Sequence, residues 1–388
     1  MSILFATVFV LTLLAESDPN PFRLALSATA PGGSFDTPDL SAYSSIQVTA
    51  DAAILIDAST GTVLYAKNAH QKRPPASTTK IMTAILALEL GDLEEVVKVG
   101  RSATGVGGSQ IWLEPNEELT LYQLLQGMML KSGNDAAVAI AQHIAGSVKN
   151  FCALMNKRAK ELGAFNTVFS NPNGLPEKTK PHYSTAYDLA MMARRGMQIP
   201  VFREIVRTKY EQIPWGDHDW QRRLKNTNRL LWYFEGADGV KTGTTRAAGN
   251  CLVASATRGG FQLIAVVLHS NNRWRDAAAL LEYGFRNFRP FLAYAQGQPV
   301  KTVTVRGGTR GQVALVPHSE VSAVVPVSEW NRVQILLSYP EYLEAPFWSG
   351  EAAGRVRVVL GDEVLADEPL YTSEPVPRCT FWSILFGA

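Results

Sequence analysis

The chain has 388 residues, 46% of them hydrophobic and 19% charged, with 37 Lys and Arg against 35 Asp and Glu for a formal charge of +2. That apolar content supplies a sizeable core and excludes wholesale disorder, and at roughly 100–200 residues per domain the length predicts two or three domains. A near-balanced charge gives no footing for an electrostatic nucleic-acid binder, which needs a clustered basic excess, and the absence of apolar runs of about 18 residues excludes a multi-span membrane protein. Cys152, Cys251 and Cys379 are too few and too far apart for a disulfide framework or a paired-cysteine zinc site. The six histidines contain no close pair, so no metal and no cofactor are expected, and His182 and His218 are read as structural or solvated.

At the N-terminus residues 3–15 form one apolar run, too short to span a bilayer comfortably but suited to the h-region of a signal peptide. Its usual basic flank is missing, and Ala28-Thr29-Ala30 resembles a small-residue cleavage site, so residues 1–30 are expected to be an export signal. Residues 31–44, in a stretch rich in Pro, Ser, Ala, Gly and Asp, read as a linker. Two β-rich runs, 52–56 and 62–65, then flank Asp57-Ala-Ser-Thr-Gly61 as a hairpin. Apolar residues at helical spacing predict helices over 77–90, 120–130, 135–144 and 184–197. Strands return at 251–257 and 263–268, and a last helix is expected over 276–287. The order strands, helices, strands, helix predicts an α/β (α+β) sandwich with an antiparallel sheet flanked by helices, over residues 45–289. Residues 290–375 change character to short β-rich runs separated by Gly, Pro and acidic turns, an all-β module without a catalytic constellation. The tail, residues 376–388, ends TFWSILFGA and is a candidate membrane-interface anchor, or equally a segment that docks on its own domain.

Three short motifs carry the chemistry. In Ser77-Thr-Thr-Lys80 the serine and lysine lie one turn apart on a helix face, so an ammonium sits beside a hydroxyl. A lysine that is desolvated, or placed near another cation, has a lowered pKa and can act as a base. Ser132-Gly-Asn134 lies on a turn between two apolar helices and can present a hydroxyl and an amide into a cleft. In Lys241-Thr-Gly243, followed by Thr244, the glycine permits close approach of a ligand backbone, Lys241 supplies positive charge, and Thr242 and Thr244 supply donors. Each alone has a plain reading: an N-cap and a surface charge, a capping turn, a hairpin turn. Their conjunction in this order is far more specific. Ser-x-x-Lys with Ser-Asp-Asn and Lys-Thr-Gly is the signature of class A β-lactamases and penicillin-binding proteins, here with Ser-Gly-Asn as the middle motif.

The sequence resembles the low-molecular-mass penicillin-binding proteins that are serine-type D-Ala-D-Ala carboxypeptidases, over about residues 45–375. The resemblance extends to Pro74–Thr83, Lys131–Ala137, Asn171-Pro-Asn-Gly-Leu175 with His182-Tyr-Ser-Thr-Ala-Tyr-Asp-Leu189, and Asp238–Gly243. It implies Ser77 as nucleophile, Lys80 as its base and Ser132 as a proton relay to the leaving D-alanine. Asn134 would hold the peptide amide, Lys241 and Thr242 would bind the terminal carboxylate or tune the site electrostatically, and the backbone N–H groups of Ser77 and Thr244 would form the oxyanion hole. Some members carry His where this chain has Thr244, which removes an imidazole but not the backbone donor. Arg273 aligns best with a family arginine that binds the carboxylate, with Arg275 a near alternative. The implied partners are a peptidoglycan pentapeptide ending in D-Ala-D-Ala, β-lactams as covalent inhibitors, a membrane surface at the C-terminal tail, and no nucleic acid. The implied location is the outer face of the cytoplasmic membrane or the cell wall. Two other functions compete. A β-lactamase would need a deacylating glutamate, yet neither Glu161 nor Glu177 sits in a Glu-x-x-x-Asn pattern. A non-catalytic cell-wall or β-lactam sensor would be expected to lose the serine or the lysine.

Overall fold

The computed structural model describes residues 7–11 and 46–379, apart from 178, 217 and 349. The export signal read over residues 1–30 and the 31–44 linker therefore lie outside the described residues except for strand β1 (Thr7–Leu11), and the tail lies outside them from residue 380. The chain divides into two compact units, the first within residues 30–285 and the second formed by residues from 286 onward together with β1.

The first unit opens with the expected hairpin, β2 (Ala52–Asp57) and β3 (Val63–Lys67). The Asp57 carboxylate closes its turn by accepting from the Thr60 amide and the Ser59 and Thr60 hydroxyls, and Gly61 takes φ +81°. A helical layer follows: α1 (Lys80–Leu90), the short strands β4 (Val96–Lys98) and β5 (Glu118–Thr120), then α2 (Leu121–Leu130), α3 (Asn134–Ala145), α4 (Val148–Glu161), α5 (Ala186–Gln198) and α6 (Pro200–Arg207). A β6–β7 ribbon (Tyr210–Ile213, Arg222–Lys225) and α7 (Leu230–Tyr233) lead to β8 (Ala237–Thr245), β9 (Gly249–Arg258), β10 (Phe261–Ser270) and α8 (Arg273–Asn287). The sheet order is β3-β2-β10-β9-β8, antiparallel throughout.

Both faces of this sheet are covered, which explains why β2 is a continuous apolar run and not an alternating one. Ile54, Ile56, Ile264 and Val266 join the core shared with α1–α6. Leu55 and Leu263 face α8, where a Cβ on Gly284 would lie 2.5 Å from Leu263 and 2.9 Å from Leu55. Helix α1 is enclosed all round, with Ile81, Met82, Ile85 and Leu86 buried. Helix α2 begins with a capping box in which Thr120 and Gln123 bond each other's backbone N–H.

Three helices were not read from the sequence: the four-residue α7, and the longer α4 and α6. Helix α4 buries Phe151, Cys152, Met155 and Ala159, a stripe that its many Lys, Arg and Asn residues obscure. Helix α6 buries Phe202, Ile205 and Val206 and starts at Pro200, a good first residue because its missing N–H has no helical partner anyway.

The second unit carries β11 (Phe288–Tyr294), β12 (Lys301–Arg306), β13 (Gln312–Pro317), β14 (Val321–Pro326), β15 (Val333–Tyr339), β16 (Tyr342–Glu344), β17 (Ala352–Leu360) and β18 (Glu363–Thr372). Its seven-stranded sheet has the order β1-β15-β17-β18-β13-β12-β16, and β11 pairs with β14 in a separate ribbon. Alternate residues of these strands, among them Val303, Leu315, Val321, Ile335, Val356, Val358 and Leu370, form its core. No helix among the described residues is long and apolar enough to cross a membrane.

Phe151 is fully buried in the helical layer. Phe151→Ala is expected to destabilise the first unit by about 3–5 kcal/mol through lost transfer energy and the cavity left behind. Urea unfolding followed by tryptophan fluorescence checks it; a shift under about 1 kcal/mol would show that the neighbours collapse into the space.

Candidate active site

The turn carrying Ser77 differs from the helix expected over 77–90. Ala76–Thr79 form one 3-10 turn and the α-helix begins at Lys80. Ala76 has φ +49°, and the turn is capped without any side chain, so the Ser77 hydroxyl is not consumed as an N-cap. Nor is Lys80 a surface charge: it is 0% exposed. Its Nζ lies 3.0 Å from Ser77 Oγ, 2.6 Å from Asn134 Oδ1 and 2.8 Å from the Asn173 carbonyl. Burial holds its pKa well below the usual lysine value, the Lys241 ammonium lowers it further, and Asp135 opposes.

Those partners suit the neutral amine. Asn134 Oδ1 and the Asn173 carbonyl can only accept, so they take its two N–H bonds. Ser77 can donate or accept, and the lone pair is left for its proton.

Ser132 and Asn134 come to the same place through the turn before α3. Ser132 is buried with φ +65°, Gly133 caps the helix without a side chain, and Asn134 is its first residue. The turn does start α3, but the Ser132 hydroxyl is not spent as its cap. Asn134 Nδ2 donates to the Gly107 carbonyl (2.6 Å) and its backbone N–H to the Ser109 carbonyl (2.7 Å). Asp135, which the sequence reading passed over, grips the same loop from behind. Its carboxylate accepts from the Ile111, Leu113 and Ala136 amides, each about 3 Å away. Two consecutive side chains thus tie the 107–113 loop to the start of α3.

Lys241, Thr242 and Gly243 lie within β8, the outermost strand of the sheet, and not in a hairpin turn. Lys241 is 1% exposed and donates to the Thr242 carbonyl at 3.2 Å. Burial, then the Arg273 guanidinium, bring its pKa down to about 7. Thr242 Oγ1 is 2.7 Å from Thr227 Oγ1. A Cβ on Gly243 would lie 3.0 Å from the Pro75 carbonyl and 3.1 Å from the Ser77 amide nitrogen, so glycine lets β8 run close along the Ser77 turn. Thr244 follows on the exposed edge, its Oγ1 held by Arg273 Nη1 at 2.7 Å. Arg273 also donates to the Gly243 carbonyl at 3.0 Å. Arg275 is exposed, and its backbone N–H bonds Asn272. Of the two arginines, only Arg273 touches β8 in this geometry.

The segment 170–182 backs the Ser77 turn. His182 Nδ1 accepts from the Ser170 amide (3.1 Å), so its Nε2 carries the proton and donates to Thr79 Oγ1 (2.8 Å). Burial lowers the His182 pKa to about 4, which keeps the ring neutral. His218 lies elsewhere, stacked on Trp220 and bonded to Glu114. Among the described residues no group of three or more His, Cys, Asp or Glu is placed to hold a metal. Glu161 is tied to Lys157 and Arg158 on the surface of α4, and Glu177 to Asn171 and Lys180.

A serine hydroxyl beside a buried lysine of lowered pKa, facing an edge strand that carries Lys241 with Arg273 of α8 against it, defines a serine-type acyl-transfer site. Comparison with known proteins narrows this class. Residues 39–272 match the D-alanyl-D-alanine carboxypeptidase family, and residues 288–378 match the C-terminal domain of penicillin-binding protein 5. The chain is 37% identical to D-alanyl-D-alanine carboxypeptidase DacF of Bacillus subtilis over 345 residues, covering 87% of this chain and 88% of that one. It is 33% identical to DacC of Escherichia coli over 351 residues, covering 86% of each. Penicillin-binding protein 5 from Haemophilus influenzae superposes with a TM-score of 0.77 at 31% identity, over 86% of this chain and 99% of that one. The chain belongs to the D-alanyl-D-alanine carboxypeptidase family.

Two outcomes follow from the buried cations. Arg273→Gln removes a neighbouring positive charge, so the Lys241 pKa is expected to rise above about 7; NMR titration of the lysine Cε resonances reads it, and an unmoved midpoint would show that burial alone sets the value. In Lys241→Met the sign runs the other way for stability. The folded pKa, about 7, lies below the ordinary 10.5. The folded state therefore binds fewer protons between these values, and wild-type stability rises with pH across that window. The variant should be more stable than wild type at pH 7 and below, with the gain fading by pH 10.5. Equal urea midpoints at pH 6 would contradict this.

Proposed function

We propose that the chain removes the terminal D-alanine from peptidoglycan pentapeptides through an acyl-enzyme at Ser77, and that β-lactams acylate the same hydroxyl. The observation that carries the reading is the seat of Lys80: a fully buried amine with two obligate acceptors and one serine hydroxyl around it.

In the reaction, Lys80 takes the Ser77 proton as Oγ bonds to the carbonyl carbon of the penultimate D-alanine. The backbone N–H groups of Ser77 and Thr244 receive the oxyanion that develops. Collapse breaks the C–N bond, and the departing D-alanine nitrogen collects a proton relayed by Ser132. Water then hydrolyses the ester and regenerates the serine. Asn134 holds the substrate's peptide amide. As the outermost strand, β8 offers the substrate backbone an extended partner. Lys241, Thr242 and Arg273 receive the terminal carboxylate, which in turn favours the charged form of Lys241.

The partners of Glu161 and Glu177 favour a peptidase over a β-lactamase, since both carboxylates are engaged away from Ser77. The apolar run at residues 3–15 and the substrate's place in the cell wall support export, with action outside the cytoplasmic membrane. Residues 45–289 then form the catalytic domain and 290–375 a spacer; of the tail, Val376 to Cys379 bond back onto Phe347, Thr309 and Gly307 of the second unit, which leaves contact with a membrane interface to residues 380–388.

Ser77→Ala is expected to abolish both covalent penicillin labelling and D-alanine release from a pentapeptide, because one hydroxyl serves both acylations. Lys80→Arg should be nearly inactive, since a guanidinium cannot be deprotonated near neutral pH. Intact-protein mass spectrometry with each substrate reads both variants. Labelling that persists in Ser77→Ala would remove Ser77 from its role, and nitrocefin turnover without D-alanine release by wild type would make the chain a β-lactamase.

A further inference from the structure

One face of the nucleophile turn rests on the 170–182 segment. Ala76, Thr79, Lys80 and Thr83 stand at i, i+3, i+4 and i+7, and each meets it. Gly174, at φ +86°, packs so closely that a Cβ there would lie 1.8 Å from the Ala76 carbonyl oxygen. Thr79 meets His182, Lys80 donates to the Asn173 carbonyl, and Thr83 Oγ1 donates to the Pro172 carbonyl at 2.6 Å.

Two consecutive peptide planes are held from both sides. The plane joining Asn173 to Gly174 presents its carbonyl to Lys80, and its N–H donates to Asn171 Oδ1 at 2.7 Å. The plane before it is held at its oxygen by Thr83, and at its nitrogen by Asn171 Oδ1 at 3.3 Å. A peptide unit is rigid, so gripping its N–H fixes the direction of its C=O. Asn171 is itself buried, and its Nδ2 is engaged by the Leu175 carbonyl (2.8 Å) and Glu177 (3.2 Å).

We propose that Asn171 and Thr83 are positioning residues of the acyl transfer: they fix the Asn173 carbonyl so that it and Asn134 Oδ1 take both N–H bonds of neutral Lys80 and turn its lone pair toward Ser77 Oγ. This rests on the roles assigned above to Ser77 and Lys80. Without the fixed carbonyl the amine is free to rotate, and the fraction of encounters with the lone pair on the serine proton falls.

The test compares the full-length wild type with Asn171→Ala, Thr83→Val and Thr83→Ser, reading D-alanine release, penicillin acylation rate across pH, and melting temperature. Asn171→Ala should lose about tenfold to a hundredfold in kcat and acylation rate, the scale of a slightly misplaced catalytic group, with KM unchanged within about twofold. Thr83→Val, of nearly the same shape, should fall in the same direction, while Thr83→Ser keeps the hydroxyl and should act like wild type. The pH profile separates positioning from loosened structure. The charged groups about Lys80 are Lys241 on β8 and Asp135 on α3, and the supporting segment adds neutral His182 and Glu177. A carbonyl stabilises an ammonium more than an amine, so its loss should move the acid limb to lower pH while the plateau falls. Folded Asn171→Ala and Thr83→Val that acylate at the wild-type rate, or that lose activity uniformly with the acid limb in place, would overturn the proposal. A wild type that mass spectrometry finds unmodified at Ser77 would instead sink the function on which it rests.

Discussion

Burying the Lys80 amine is the constraint from which the rest of the active-site architecture follows. An isolated ammonium in a dry interior is expensive, and the group responds by favouring its neutral form. Neutrality alone does not make a base, because a freely turning amine has no preferred direction. Direction comes from the two acceptors, an asparagine side chain on α3 and a backbone carbonyl from the 171–175 turn. Three separate parts of the chain must therefore meet at one nitrogen. The enclosed position of α1, with the other helices packed around it, is what allows them to arrive from different sides.

The supporting contacts show how the fold secures those arrivals. Asn134 is held by the 107–109 carbonyls, and Asp135 holds the continuation of the same loop. Ala76, next to Ser77, and Ser132 occupy left-handed backbone conformations that non-glycine residues seldom adopt. Strain of that kind persists only where the surroundings over-determine it. Here the close approach of Gly174 and Gly243 to the turn carrying Ser77 supplies that enclosure.

Much of the fold was legible because burial leaves periodic marks. The β2–β3 hairpin, α2, α3, α5, β9, β10 and α8 correspond to runs whose apolar spacing or turn residues predict them. Helices α4 and α6 were missed because their buried stripes are narrow and sit among charged residues. The candidate site was legible differently, as three spacings of side-chain chemistry. Its remaining parts carry no such mark. The carbonyls of Gly107, Ser109 and Asn173 are backbone atoms, and any residue has them. The Asn-Pro-Asn-Gly turn and the aspartate after Asn134 were in plain sight, but only the folded geometry gives them an object to hold. The 3-10 turn at Ala76 was hidden for a related reason: its distortion is imposed by packing against residues about a hundred and more positions away.

The electrostatics of the cleft are arranged as a gradient rather than as a set of salt bridges. Lys80, Lys241 and Arg273 are basic groups drawn close together, and beyond the effect of burial Arg273 lowers the proton affinity of Lys241, and Lys241 that of Lys80. The outermost is a guanidinium, which stays charged at neutral pH, so the series places fixed charge at the rim and the neutral amine deepest, beside Ser77. Such an arrangement costs stability in the empty protein, because buried like charges repel and are poorly solvated. It also prepares the cleft for an anionic ligand, since a carboxylate entering beside Lys241 and Arg273 relieves the repulsion it meets. On the proposed function, a chain ending in a carboxylate is thus favoured over one that continues, and the same charges help keep the Lys80 amine beside Ser77 unprotonated.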